Sequence, residues 1–201
     1  MKNDMEKLGE FYYNKVLPAY ETIKTAQCLY GDIVLSYNGG KDCTVLLEII
    51  ERFNLDIPIA TFDEPKTFPE LRFFTMQRLR KSPLRKIFLG ENIRLEMSKI
   101  VDSGFKAVLL GQRLLDPSQP SVLFEKSSAN WPQYIRVYPI LNWTYSDIWF
   151  FLDGISAEYS SLYTIGYTSI GSMHKTKPNP LLVGRHAREL FDPFAERRGR
   201  I

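Results

Sequence analysis

The chain has 201 residues, 44% of them hydrophobic and 13% aromatic, which supplies an ordinary core and excludes an intrinsically disordered polymer. Lys and Arg total 26 against 23 Asp and Glu, and a net charge of +3 is too mild for a nucleic-acid binder but suits a small anionic ligand. With two cysteines outside any CxxC pair, two histidines, no signal-peptide pattern from Met1 to Lys7 and no bilayer-length apolar run, the expectation is a cytoplasmic protein. It is expected to be one domain over 1–201, a monomer or weak dimer, with no membrane or nucleic-acid partner.

Residues 1–30 predict a helical segment through Leu8, Phe11, Tyr12, Val16 and Leu17, kinked or split at Pro18. Ile33-Val34-Leu35 has the β-branched look of a buried strand. A helix is expected from Cys43 to Phe53, a strand from Ile57 to Phe62, and a helix from Phe68 to Arg80 with Pro69 early in it. A short strand from Lys86 to Leu89 and a helix from Glu91 to Asp102 follow, the latter closed by Gly104. Lys106 to Leu110 completes a β–α–β–α alternation. That order predicts an α/β fold, a doubly wound, mostly parallel sheet with helices on both faces. Residues 112–133 read mostly as loop, Tyr134 to Val137 as a strand, and Thr144 to Leu152 as a helix capped by Thr144. From Gly166 the chain reads as a loop-rich segment, 166–201, ending in the Arg-rich string Glu196-Arg197-Arg198-Gly199-Arg200.

In such sheets ligands bind beyond the carboxyl ends of the strands, so the loops after Ser36, Phe62 and Leu110 carry the chemistry. The most informative is Ser36-Tyr37-Asn38-Gly39-Gly40-Lys41-Asp42, between a buried strand and a helix. The paired glycines let backbone approach a ligand, and the free N–H groups at the helix start attract phosphate. Lys41 adds a positive charge and Ser36 a hydroxyl. Leu35 stands where the common P-loop needs its first Gly, and Asp42 where it needs Ser or Thr, so this is a different phosphate loop. Asp42 could also serve as a helix N-cap. Cys43 at the helix start could have a lowered thiol pKa, Cys28 reads as a small buried hydrophobe, and both histidines, His174 and His186, read as surface residues. Trp143 and Trp149 read as core.

Asn38-Gly39-Gly40-Lys41-Asp42 resembles the centre of the PP-loop of ATP pyrophosphatases. Together with Gly111-Gln112-Arg113, Asp116-Pro117, Asn130-Trp131-Pro132 and Gly166-Tyr167-Thr168-Ser169-Ile170-Gly171, it resembles the eukaryotic FAD synthases (FMN adenylyltransferases), relatives of the PAPS reductases. The resemblance covers about Ser36 to Arg200. It implies transfer of AMP from ATP to FMN, giving FAD and pyrophosphate with Mg²⁺. It implies catalytic positions at Asn38, Asp42, Asp116, Arg197 and Arg200. ATP and its phosphates would meet Ser36, Tyr37, Gly39, Gly40, Lys41, Phe62, Asp63, Gly111 and Arg113. The flavin would meet Ser128, Trp131 and Arg136, with Asp116 near Mg²⁺. The family usually has Asp where this chain has Ser128, and Gly-Ile-Arg where it has Gly111-Gln112-Arg113.

Other readings are a PP-loop adenylyltransferase with another acceptor and a non-catalytic ATP- or flavin-binding module. A sulfonucleotide reductase needs a nucleophilic cysteine near its C-terminus, and no Cys follows position 43.

Overall fold

The structure, a computed structural model, describes residues 5–117 and 120–201, so the string Met1-Lys2-Asn3-Asp4 lies outside the described residues. A turn of π-helix, Tyr12–Val16, runs into α1, Leu17–Tyr30. Pro18 sits at the start of α1, where its missing N–H costs nothing, so it joins two helical segments instead of breaking one. Strand β1 (Ile33–Ser36) leads to α2 (Lys41–Arg52), β2 (Ile59–Phe62) to α3 (Pro69–Lys81), and β3 (Lys86–Leu89) to α4 (Ile93–Asp102). β4 (Ala107–Leu109) follows, then β5 (Phe124–Lys126), β6 (Ile135–Val137) and α5 (Tyr145–Gly154).

The six strands lie in the order β3-β2-β1-β4-β6-β5. All pairings are parallel except β5 with β6. β5 corrects the expectation of loop over 112–133: only three residues long and mostly exposed, it has no apolar pattern to announce it. The remaining strand and helix boundaries fall within two residues of expectation, as terminal fraying allows.

Alternation along each strand sends side chains to opposite faces. Ile33, Leu35, Ile59, Ala107, Leu109 and Val137 face a large core with Ile23 of α1, Leu46 and Ile50 of α2, and Ile148, Phe151 and Leu152 of α5. Val34, Ala60 and Val108 face the other way, toward Met97 and Ile100 of α4. Trp143 and Trp149 are buried in the larger core, as the sequence suggests. Cys28 corrects expectation: it lies on the outer side of α1 and is exposed.

Two features bring α2 and α3 together under β1. Arg78 of α3 pairs with Glu48 at 2.9 Å and with Glu51 at 2.6 Å, both on α2. Gly39 has φ +77°, and a Cβ there would collide with Thr75 Oγ1 of α3. Only glycine meets both demands.

Beyond α5 the chain is a succession of 3₁₀ turns, yet it is packed. Leu182, Ala187, Leu190 and Ala195 belong to the large core. Asn179, fully buried, donates from Nδ2 to Ala195 O at 2.8 Å and Thr168 Oγ1 at 3.1 Å. Thr168 Oγ1 in turn donates to Glu196 O at 2.5 Å. A buried amide with its donors satisfied fixes the backbone it grips, and here that backbone carries Glu196, Arg197 and Arg200.

Candidate functional site

β1 turns to β2 on one side and receives β4 on the other, so the order of the sheet reverses between β1 and β4. Ligands in open α/β sheets sit outside the carboxyl ends at such a point. A cavity of about 390 Å³ opens there. Ser36 and Asn38 come from the end of β1, and Gly40, Lys41 and Asp42 from the start of α2. Gly111 and Asp116 follow β4, while Tyr163, Glu196, Arg197 and Arg200 come from the C-terminal turns. Nine of these residues, Ser36, Asn38, Gly40, Lys41, Asp42, Gly111, Asp116, Arg197 and Arg200, were singled out in the sequence and meet around one space.

The start of α2 differs in detail from expectation. The helix begins at Lys41 with Gly40 as N-cap, so Asp42 is the second helical residue and not the cap. Its first amides are partly engaged: Gly40 N donates to Asn38 Oδ1 at 3.0 Å, and Lys41 N to the Tyr163 hydroxyl at 2.9 Å. Asn38 Oδ1 also accepts from Cys43 Sγ at 3.1 Å. Cys43 departs from the expected lowering. Burial, together with Asp42, pushes its thiol up to about 12, beyond what nearby amides offset.

Gly111 permits a close approach. A Cβ there would stand 2.7 Å from Cys43 N and 2.8 Å from the Asp42 carbonyl carbon, so no larger residue fits between β4 and the start of α2.

Charge is the dominant property of the site. Lys41 is 2% exposed, and its Nζ sits 2.9 Å from Asp42 Oδ2 and 2.5 Å from Glu196 Oε1. Arg113 is 3% exposed, and its Nη2 lies 2.6 Å from Glu196 Oε2. Arg113 Nε is 3.0 Å from Asp42 Oδ1, close enough for Coulomb attraction but out of line for a hydrogen bond. Asp116 Oδ2 accepts from Arg113 N at 2.8 Å. Burial alone would push the Asp42 carboxyl up, but Lys41 and Arg113 hold it below its ordinary range. Burial would lower Lys41, and Asp42 and Glu196 outweigh it. Asp116 is raised by burial and by the negative charge of Asp42.

Arg197 and Arg200 have no carboxylate partner among the described residues. Arg200 Nε donates to Ser169 Oγ at 3.2 Å and Nη2 to Ile170 O at 2.7 Å, while Arg197 Nη1 reaches Ser169 Oγ at 3.4 Å. Burial and the adjacent Arg197 lower the Arg200 guanidinium from its ordinary value. Gly171 makes room for it: a Cβ there would overlap the Arg200 guanidinium.

A second cavity of about 420 Å³ adjoins the first and shares Asn38. Phe62 and Asp63 line it beyond β2, with Thr75 and Met76 from α3 and Leu89 from β3. Of the remaining sequence candidates, Tyr37 is buried with its hydroxyl 3.4 Å from Thr44 Oγ1, and Gly39 packs on α3. Ser128 is exposed, Trp131 packs half-buried against the α4 face, and Arg136 lies 3.7 Å from Glu125. These three line neither cavity. His174 is exposed as expected; His186 is half-buried, bonded to the Tyr159 hydroxyl and packed edge-on to Trp149.

Glu196 and Tyr163 escape sequence reading. Glu196 sits in a string whose obvious signal is its arginines, and Tyr163 in a short turn with no period. Among the described residues no group of three or more His, Cys, Asp or Glu side chains is placed to hold a metal ion by itself, and no helix is long and apolar enough to cross a membrane.

The phosphoadenosine phosphosulfate reductase domain family matches residues 82–178. A probable FAD synthase of Caenorhabditis elegans is 34% identical over 80% of this chain and 34% of its own length. One from Schizosaccharomyces pombe is 33% identical over 75% of this chain and 62% of its own length. The chain therefore spans 31% to 62% of the length of the FAD synthases it matches. A Candida glabrata FMN adenylyltransferase, solved with FMN and the ATP analogue AMPCPP, superposes with a TM-score of 0.80 at 24% identity, covering 98% of this chain and 89% of that one.

Proposed function

We propose that the chain belongs with the FAD synthases and the phosphoadenosine phosphosulfate reductase-like PP-loop proteins, and that it transfers AMP from ATP to the phosphate of FMN. The observation that carries this reading is the meeting of Lys41, Asp42, Asp116, Arg197 and Arg200 around one cavity at the reversal point of the sheet. The core drawn from Met5 to Ala195 supports reading the chain as one domain.

In this reading the triphosphate occupies the cavity over α2 and the adenine the adjoining one beside Phe62. A phosphate oxygen of FMN attacks the α-phosphorus, the bond from that phosphorus to the bridging oxygen breaks, and pyrophosphate leaves with the electron pair. The second pKa of a phosphate monoester is about 6, so the nucleophile is already ionised at pH 7 and no general base is required. The obstacle is repulsion: two unit charges 4 Å apart cost about 4 kcal/mol at an effective dielectric near 20. Arg197 and Arg200, free of carboxylates, and the dipole of α2 offset it as charge develops on the leaving group. Lys41 and Arg113, locked to Asp42 and Glu196, act through the shape and field of the loop.

Mg²⁺ held mainly by substrate oxygens needs only one or two protein carboxylates. Asp116 and Asp42 line the same cavity and fit that requirement. We assign Asp116 as its protein contact; the ion would supply neutralising charge on the phosphates.

Purified protein with FMN, ATP and Mg²⁺ is expected to yield FAD and pyrophosphate in equal amounts by chromatography and pyrophosphate assay. Pyrophosphate without FAD would point to another acceptor, a second reading favoured by the position of Ser128, Trp131 and Arg136 away from both cavities. Neither product would leave a binding module. Asp116→Ala and Arg197→Ala are each expected to lower turnover at least tenfold, on the ~10²-fold scale of a lost electrostatic contact in the transition state. Wild-type rates would remove that residue from the site.

A further inference from the structure

Tyr163 stands in the 3₁₀ turn Ser161–Ile165, far in sequence from the phosphate loop, and its side chain is 1% exposed. Its ring is set edge-on to Trp149, with centroids 5.3 Å apart and planes at 77°. Gly166 closes the turn at φ +92°, where a Cβ would meet Leu182 O at 2.5 Å. A second ring, that of Tyr159, stands edge-on at 6.4 Å, and the Tyr163 side chain borders the cavity over α2.

The hydroxyl oxygen accepts from Lys41 N at 2.9 Å, at the first amide of α2. Its own proton has no acceptor among the described residues. Lys41 and Arg113 occupy the Glu196 carboxylate, and Asp42 Oδ1 has no hydrogen-bond partner at all. The amide satisfies the hydroxyl's acceptor role alone, so a donor at the edge of an anion cavity is left free for a ligand oxygen. Accepting from an amide also polarises the O–H toward its next acceptor.

We propose that the Tyr163 hydroxyl is a catalytic hydrogen-bond donor to the phosphate chain, relaying the N-terminus of α2 to an oxygen of the departing pyrophosphate. This rests on the nucleotidyl-transfer reading and adds a residue to it. No proton changes hands. Burial, with Asp42 and Glu196 nearby, holds the phenol well above its ordinary value, so it stays protonated while the bridging bond breaks.

Tyr163→Phe keeps the ring and its packing and removes only the hydroxyl. Turnover is expected to fall at least tenfold, with the KM for ATP changed less than threefold and pyrophosphate affinity by calorimetry reduced five- to tenfold. A hydroxyl that served only to cap α2 would lower the melting temperature and leave turnover and pyrophosphate affinity at wild-type values; that result overturns the proposal. Should Tyr163→Phe not fold, 3-fluorotyrosine at position 163 reports instead: pyrophosphate is expected to shift its ¹⁹F resonance, and no shift overturns the proposal. Wild-type protein that makes no FAD, yet binds pyrophosphate through Tyr163, would sink the FMN reading and leave this one standing.

Discussion

Asp116 accepts the Arg113 amide through Oδ2 while its charge is opposed by burial and by Asp42. Its carboxyl therefore ionises less readily in the folded chain than in the unfolded one. For a carboxylate raised in this way, the favourable contribution is complete below the unfolded value, about pH 4, and fades as pH rises through the folded value. At pH 7 the group is charged at a cost. Asp116→Asn keeps an oxygen for the Arg113 amide and removes the charge. We expect it to melt a few degrees above wild type at pH 7, to converge with wild type as the pH falls to about 4, and to turn over more slowly. Thermal melts of both proteins across that range decide it: equal melting at pH 7, or an advantage that grows on acidification, would contradict the argument. A functional group held against its own stability is the usual trade at a working site.

At the scale of elements, the decisive join is between the end of β4 and the start of α2. Gly111→Ala would press a methyl into the backbone at Cys43 and Asp42, which cannot rotate away as a side chain can. The strand and the helix would have to separate at the phosphate cavity. We expect a loss of about 1–3 kcal/mol, the range for overpacking, and a larger fractional loss of turnover than of stability. Urea unfolding alongside turnover measures both, and an alanine variant indistinguishable from wild type would show that the two elements have slack. This join marks how far the sequence could be read. Ile33-Val34-Leu35 and the Gly-Gly turn announce β1, α2 and the phosphate loop because apolar runs and glycines leave local signatures. Thr144 announces its helix in the same way, forming a capping box with Asp147. β5 left no signature, since three mostly exposed residues at a sheet edge carry no period. Glu196 and Tyr163 could not be read at all, because their partners are chosen by the tertiary fold: Tyr163 meets Lys41 across 122 positions. Cys28 failed for a simpler reason: residue type says only that cysteine tends to be buried, and its place on α1 overrides that.

At the scale of the molecule, the core holds the sheet together, whereas the cavity depends on charges brought from both ends of the sequence. Glu196 bridges Lys41 and Arg113, two buried cations whose remaining counter-ions are Asp42 and Asp116. Removing one partner of a buried ion cluster costs about 3–5 kcal/mol, because the orphaned charge remains desolvated. Glu196→Ala is therefore expected to lower the unfolding free energy by about 3 kcal/mol or more, read from urea denaturation with an unchanged m-value. A loss under about 1 kcal/mol would mean that solvent already reaches Lys41 and Arg113, as at an ordinary surface pair.

The bond from Lys41 to Glu196 closes a loop of 155 positions. A growing polypeptide could thus pair β1 with β2 and β4 long before its anion seat exists. Until Glu196 arrives, Lys41 and Arg113 have only Asp42 and Asp116 to answer them. Arg197 and Arg200 lie in the same turns as Glu196, so the cations that no carboxylate holds line the cavity only once those turns have docked.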